Sequence, residues 1–169
     1  MSYPRRTIAD VNWLGVPAPI GTVGVATDDT GICAVRFEGP AGSGAGADPL
    51  LARAALQIAE YFAGTLTAFE LPLSVPGGTP FERAVWAGIA AIPYGEMRTY
   101  GEIAADVGDR DAARAVGIAC NRNPLPIIVP CHRVVGAGGK LVGFGGGLPR
   151  KRFLLELEAR VRIEQAFGS

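Results

Sequence analysis

Residues 99–121 read TYGEIAADVGDRDAARAVGIACN, and the parsing of this stretch decides the architecture of the second half of the chain. Thr99 followed three residues later by Glu102 is a capping box, in which the threonine oxygen accepts from the N–H of Glu102 and the carboxylate reaches back to the N–H of Thr99. It opens a short helix through Val107, which Gly108 ends. A second helix is expected from near Asp109 to Asn121, giving two helices around a tight glycine-containing turn, the outline of a helix-turn-helix. The second helix is unusual for that motif: Ala112, Ala113, Ala115, Gly117 and Ala119 leave a smooth face with one long cation, Arg114. A helix in a major groove supplies several long polar side chains, whereas a smooth face can press on a shallow groove and push its arginine into a base stack. Alanine-rich packing with an exposed Arg114 explains the same composition.

On the N-terminal side, Thr79-Pro80-Phe81-Glu82 repeats the capping box with proline at the first helical position, and Val85, Trp86 and Ile89 follow at helical spacing. The preceding PGGTP (76–80) reads as a joint between two domains, 1–78 and 79–169. Before it, residues 18–38 alternate around the turn Asp28-Asp29-Thr30-Gly31 and predict a β-hairpin. Residues 39–49, GPAGSGAGADP, read as a loop, 50–64 as an amphipathic helix ending at Gly64, and FELPLSV (69–75) as another strand.

On the C-terminal side, IIVPCHRV (127–134) places Cys131 beside His132, the only histidine in the chain. Pro126 and Pro130 bracket a rigid approach, and Cys131 to Val135 read as a short helical start, where free backbone N–H groups would make the Cys131 thiol acidic and nucleophilic. Residues i and i+1 on a helix do not face each other, so His132 would take the thiol proton through a water, with an acceptor on its other nitrogen. Glu156 or Glu158, on the predicted helix PRKRFLLELEARV, supplies that acceptor. A buried structural cysteine beside an exposed histidine is the competing reading.

Composition narrows the classes. The 169 residues are 49 % hydrophobic, and 16 basic residues balance 16 acidic ones, as in a globular protein. No apolar segment follows Arg5 and Arg6, and no stretch approaches the roughly 20 residues of a membrane span, so a cytoplasmic protein is expected. Three irregularly spaced cysteines argue against a disulfide framework, and a tetrahedral zinc site would need all three together with the one histidine, or a borrowed carboxylate; neither metal nor cofactor is expected. From Ala112 to Leu155 there are seven basic residues, Arg114, Arg122, Arg133, Lys140, Arg150, Lys151 and Arg152, and no acidic one. A cationic surface around a nucleophile suggests an anionic partner such as nucleic acid, although a solvated basic face explains the charges too.

PYGEMRTYGEIA, AARAVGIACNRNPLPIIVPCHRVVGAGGKLVGFGGG and RKRFLLELE together resemble, in order and spacing, the O6-alkylguanine-DNA alkyltransferases over roughly residues 79–158. The resemblance implies a small N-terminal α/β, ribonuclease-H-like domain followed by a mostly helical, winged helix-turn-helix-like domain. It also implies stoichiometric, irreversible transfer of the alkyl group of O6-alkylguanine in double-stranded DNA, with O4-alkylthymine a further substrate of the class, to Cys131 of a monomer. Cooperative binding along DNA is left open. His132 is implied as water-mediated base, Glu158 as its polarising partner, Asn123 as hinge and Tyr100 as donor to the flipped guanine. Arg114 is implied as the finger that replaces the extruded base, with Thr99, Ala112, Ala113 and Gly117 along the minor groove. Pro126, Val134, Phe144 and Gly145 are implied around the guanine. Phe144 and Gly145 depart from the tyrosine and serine that many or some members carry, which would remove hydroxyls near the pocket and make it roomier. A binding-only protein, a Cys-His hydrolase and a plain DNA-binding regulator are the alternatives.

Overall fold

The computed structural model describes residues 11–39 and 48–168, and the chain parts after Pro76 into two compact units. The expected loop 39–49 falls mostly outside the described residues.

In the first unit, β1 (Asn12–Val16), β2 (Val23–Thr27) and β3 (Ile32–Phe37) form an antiparallel sheet in sequence order. Val25 faces Leu14 on one side and Val35 on the other. The β2–β3 connection is the predicted turn: Asp28 Oδ1 accepts from the N–H groups of Thr30 and Gly31, at 2.7 and 3.0 Å. The hairpin is thus one half of a three-stranded meander. Helix α1 (Pro49–Ala63) starts on Asp48, whose carboxylate accepts from the N–H groups of Leu50 and Leu51, and ends at Gly64 in the left-handed region. Leu51, Ala54, Ile58 and Tyr61 on its inner face are buried, and full burial of each large apolar side chain contributes about 1.5–3 kcal/mol. The strand expected over 69–75 is a correction: it is reduced to a single bridge, Ile32 with Leu73. Pro72 has no N–H and so cannot extend a ladder; its carbonyl accepts from Ile32, and Ile32 accepts from Ser74.

In the second unit both capping boxes form. Thr79 opens α2 (Pro80–Ala90) and Thr99 opens α3 (Tyr100–Asp106), each with reciprocal bonds to the glutamate three residues on. Gly108, at φ +88°, turns the chain after α3. Helix α4 (Ala113–Asn121) starts later than expected, because Asp109 forms its own turn, accepting from the N–H of Asp111 on its side chain and of Ala112 on its carbonyl. The indole N–H of Trp86 donates to Ala119 O at 2.8 Å, fastening α2 to α4. Two short strands, β4 (Arg98–Thr99) and β5 (Val134–Val135), pair in parallel, and α5 (Leu148–Phe167) closes the unit with Leu154, Leu157 and Val161 in the core.

Candidate active site

Cys131 heads one turn of 3-10 helix, Cys131–Arg133, which passes at once into β5. The helical start expected here is therefore a single turn. The thiol is 5 % exposed, and burial pushes its pKa up; the side chain of Asn123, the Lys151 ammonium and the N–H groups of Cys131 and His132 pull the other way without prevailing. The acidic thiol expected from a helix N-terminus is thus overturned for the resting protein, because desolvation of the thiolate outweighs one turn of backbone dipoles.

Next to it lies a buried charge cluster centred on Glu158. His132 Nε2 stands 2.6 Å from Glu158 Oε2, with both side chains almost fully buried. Arg133 donates from Nε to Oε1 at 2.8 Å and from Nη2 to Oε2 at 3.1 Å, and from Nη1 to Ile92 O at 2.7 Å. The N–H of Gly95 adds a further bond to Oε1 at 3.0 Å. Burial opposes the charge on Glu158, but the hydrogen bonds and charges of His132 and Arg133 outweigh it and hold the carboxyl well below its usual range. Burial dominates at His132 and lowers its pKa. The pair is consequently a neutral imidazole donating Nε2–H to a carboxylate whose charge Arg133 compensates, and this tautomer leaves Nδ1 as the basic nitrogen. Glu156 is exposed, so Glu158 is the carboxylate that meets His132.

Asn123 fixes the approach to Cys131. Its Nδ2 donates to Val129 O at 2.8 Å and its Oδ1 accepts from the N–H of Leu125 at 2.9 Å. Between these anchors Ile127 is held at φ +75°, a costly conformation for a β-branched residue, of the kind that persists only where surrounding contacts over-determine it.

Lys151 is fully buried, and its Nζ donates to Val134 O at 2.6 Å, with Gly143 O, Val142 O and the Tyr100 hydroxyl at 3.3–3.4 Å. Burial lowers its pKa. The Tyr100 hydroxyl donates to Val142 O at 2.9 Å, and burial pushes its pKa up to about 12. Neither Lys151 nor Arg133 was singled out as a site residue from the sequence, where both were counted in the cationic segment. That expectation is corrected for these two, which face inward; Arg114, Arg122, Lys140 and Arg152 remain exposed.

An open cavity of about 610 Å³ runs along α3 and α4, with Thr99, Tyr100, Ala113, Arg114, Gly117 and Val142 among its lining residues. Ala112 does not line it: it precedes α4 and is buried at 9 % exposure. The Thr99 hydroxyl is occupied in capping α3. Val134 is buried, Pro126 and Phe144 are half-buried, and Gly145 is exposed with open space around its Cα. These four do not line the cavity. Among the described residues no cluster of His, Cys, Asp or Glu could hold a metal ion, and no helix is long and apolar enough to cross a membrane.

Two family models match the chain: the ribonuclease-like domain of 6-O-methylguanine DNA methyltransferase over residues 16–75 and its DNA binding domain over residues 80–160. A methylated-DNA–protein-cysteine methyltransferase of Methanosarcina acetivorans is 48 % identical over 148 residues, 83 % of this chain and 94 % of the relative. One from Mycolicibacterium paratuberculosis is 46 % identical over 155 residues, 89 % and 93 % of the two chains. The crystal structure of Mycobacterium tuberculosis OGT in complex with DNA superposes with a TM-score of 0.79 at 44 % identity, covering 88 % of this chain and 93 % of that one.

Proposed function

The chain belongs to the 6-O-methylguanine DNA methyltransferase family, and from that premise we propose that it repairs DNA by moving the alkyl group of O6-alkylguanine onto Cys131, once per molecule. The observation that carries this reading is the buried pair of His132 and Glu158, the carboxylate neutralised by Arg133 and the imidazole next in the chain to buried Cys131.

In the first step the Cys131 proton passes through a water to His132 Nδ1, while Glu158 holds the Nε2 proton and stabilises the imidazolium that forms. The thiolate then attacks the sp3 carbon on the guanine oxygen, forming a C–S bond as the C–O bond breaks and guanine leaves. Negative charge develops on the departing base, where donors placed in advance are worth most. Tyr100 is one donor, once its hydroxyl turns from Val142 O to the substrate. Lys151 is set beside it and also favours the thiolate. Because Cys131 is protonated at rest, substrate entry and proton removal together set its reactivity. The thioether has no hydrolytic exit, which makes the reaction stoichiometric.

The target carbon lies inside the duplex, so the base is flipped out, a step costing a few kcal/mol. Arg114, exposed on α4 beside the cavity, fills the gap, while Ala113 and Gly117 let the helix approach the minor groove. Thr99 contacts the backbone, Asn123 holds the hinge below Cys131, and Pro126, Val134, Phe144 and Gly145 surround the base. In this reading residues 79–169 carry binding and chemistry and residues 1–78 support them. The protein acts as a monomer without cofactor and binds mostly to phosphate, so its affinity falls with salt.

The test is to mix a known amount of protein with excess duplex containing one O6-methylguanine and weigh the intact protein and its Cys131 peptide. One added methyl group on Cys131, stopping at one per protein, is expected. Lesion binding without transfer would move the chain to the binding-only class, and continuing product release would indicate a turnover enzyme.

A further inference from the structure

The carboxylate of Glu158 is held by side chains and also by a peptide. Its Oε2 meets His132 Nε2 and Arg133 Nη2, while its Oε1 accepts from Arg133 Nε and, at 3.0 Å, from the N–H of Gly95. Side-chain donors can swing with the carboxylate, whereas a peptide N–H is fixed by its chain. Gly95 lies in the segment 92–95 between α2 and β4, third in a four-residue turn that the N–H of Glu96 closes on Pro93 O, and its φ is +76°. The same segment serves Arg133: Ile92 O accepts from Nη1 at 2.7 Å, and the Tyr94 ring lies 5.5 Å from the guanidinium carbon. At its other end the Gly95 carbonyl accepts from Arg162 Nη1 at 3.4 Å. Glu158 and Arg162 stand one turn apart on α5 and share a face, so they grip the two ends of one residue. A Cβ on Gly95 would overlap Arg162 Cδ and stand 2.7 Å from Cγ, so the clasp closes only on glycine.

We propose that Gly95 is a positioning residue for the transfer: clasped between Glu158 and Arg162, it fixes the plane of the carboxylate that holds the Nε2 proton of His132. The inference rests on the reading that the His132–Glu158 pair serves alkyl transfer. A turn that merely needs φ > 0 would take asparagine, which tolerates the left-handed region better than other side chains. The clasp would not, because any Cβ meets Arg162.

The experiment uses the full chain as wild type, Gly95→Asn, Arg162→Ala and the double variant. Each is assayed for single-turnover methyl transfer from the O6-methylguanine duplex, per folded molecule, and for the imidazole N–H signal by NMR, which is unique because His132 is the only histidine. In Gly95→Asn we expect transfer slower by about 10-fold or more and a His132 Nε2–H signal displaced from its wild-type position. The double variant, which has room for the Cβ, should recover most of that loss relative to Arg162→Ala, with the signal moving back. Wild-type transfer and an unmoved signal in Gly95→Asn overturn the inference, as does slowing that the double variant fails to relieve. Amide exchange in the wild type gives a test that needs no variant: the Gly95 N–H should exchange about 100-fold or more slowly than a free amide, and exchange at the free rate overturns the clasp. Absence of methyl uptake by the wild type would sink the alkyl-transfer reading instead, so the two failures are told apart.

Discussion

The two units treat polarity in opposite ways. In the first, the buried polar side chains among the described residues are Thr27 and Ser74, both hydroxyls, and each satisfies a nearby aspartate: Thr27 donates to Asp48 and Ser74 to Asp28, at 2.6 Å in both cases. These bonds fix a helix start and a turn. In the second, the buried set is Glu82, Asn123, His132, Arg133, Lys151 and Glu158, and the last four bring charge or a titratable ring inside. Burying charge costs several kcal/mol per ion, and replacing a buried ion network with apolar side chains is often stabilising. A unit of this size would fold more easily without the cluster, so its presence indicates that the second unit keeps groups for chemistry that the first has no need of.

The largest effect that sharpens this contrast is expected at Glu158. Glu158→Gln leaves the Arg133 charge buried without its counter-ion and should lower stability by about 3–5 kcal/mol, measured by urea unfolding. A loss under 1 kcal/mol would mean that the cluster is already solvated. The pH dependence runs the same way. Glu158 and His132 both titrate below their ordinary values of 4.5 and 6.5, so each stabilises the fold above those values and loses that contribution as pH falls. Stability should decline below pH 6.5 and more steeply below 4.5. In Glu158→Gln the steeper limb should flatten.

Lys151→Met keeps volume but removes the cation beside Cys131 and Tyr100. Single-turnover methyl transfer should slow by about 100-fold while duplex affinity changes little, because Lys151 is buried. An equal loss of affinity would place it on the DNA surface instead. Arg114→Ala should slow transfer from duplex by about 10-fold or more by removing the group that fills the gap, with no change in melting temperature; equal slowing on free O6-methylguanine would contradict that role. At the far end, Thr27→Val removes one hydrogen bond from the first unit and should cost about 1 kcal/mol, leaving the transfer rate of folded protein unchanged.

What could be read from the sequence divides by the range of the interaction. The caps at Thr79 and Thr99 and the helix end at Gly64 depend on residues within one turn, and all three appear in the structure. The resemblance paired Glu158 with His132, and the fold brings those two side chains to 2.6 Å; it named Asn123 as the hinge, and that side chain bonds Val129 O and the N–H of Leu125 on the approach to Cys131. Strand β1 was missed because only Val16 in it is buried, leaving no alternation to read. The α4 start was misplaced because Asp109 competes for the backbone in its own turn. Lys151 and Arg133 were missed because a sum of charges treats each as exposed, whereas their partners are distant in sequence: Val134 O for one, Ile92 O and Glu158 for the other.

The most direct test of the claim that the buried cluster serves chemistry is the single-turnover rate of methyl transfer from an O6-methylguanine duplex, per folded molecule, in Glu158→Gln beside the wild type. The account predicts a rate lower by about 100-fold or more with duplex binding retained, because the imidazole loses the carboxylate that stabilises its protonated form. Transfer at the wild-type rate by the folded variant would contradict it and reduce the cluster to a structural feature.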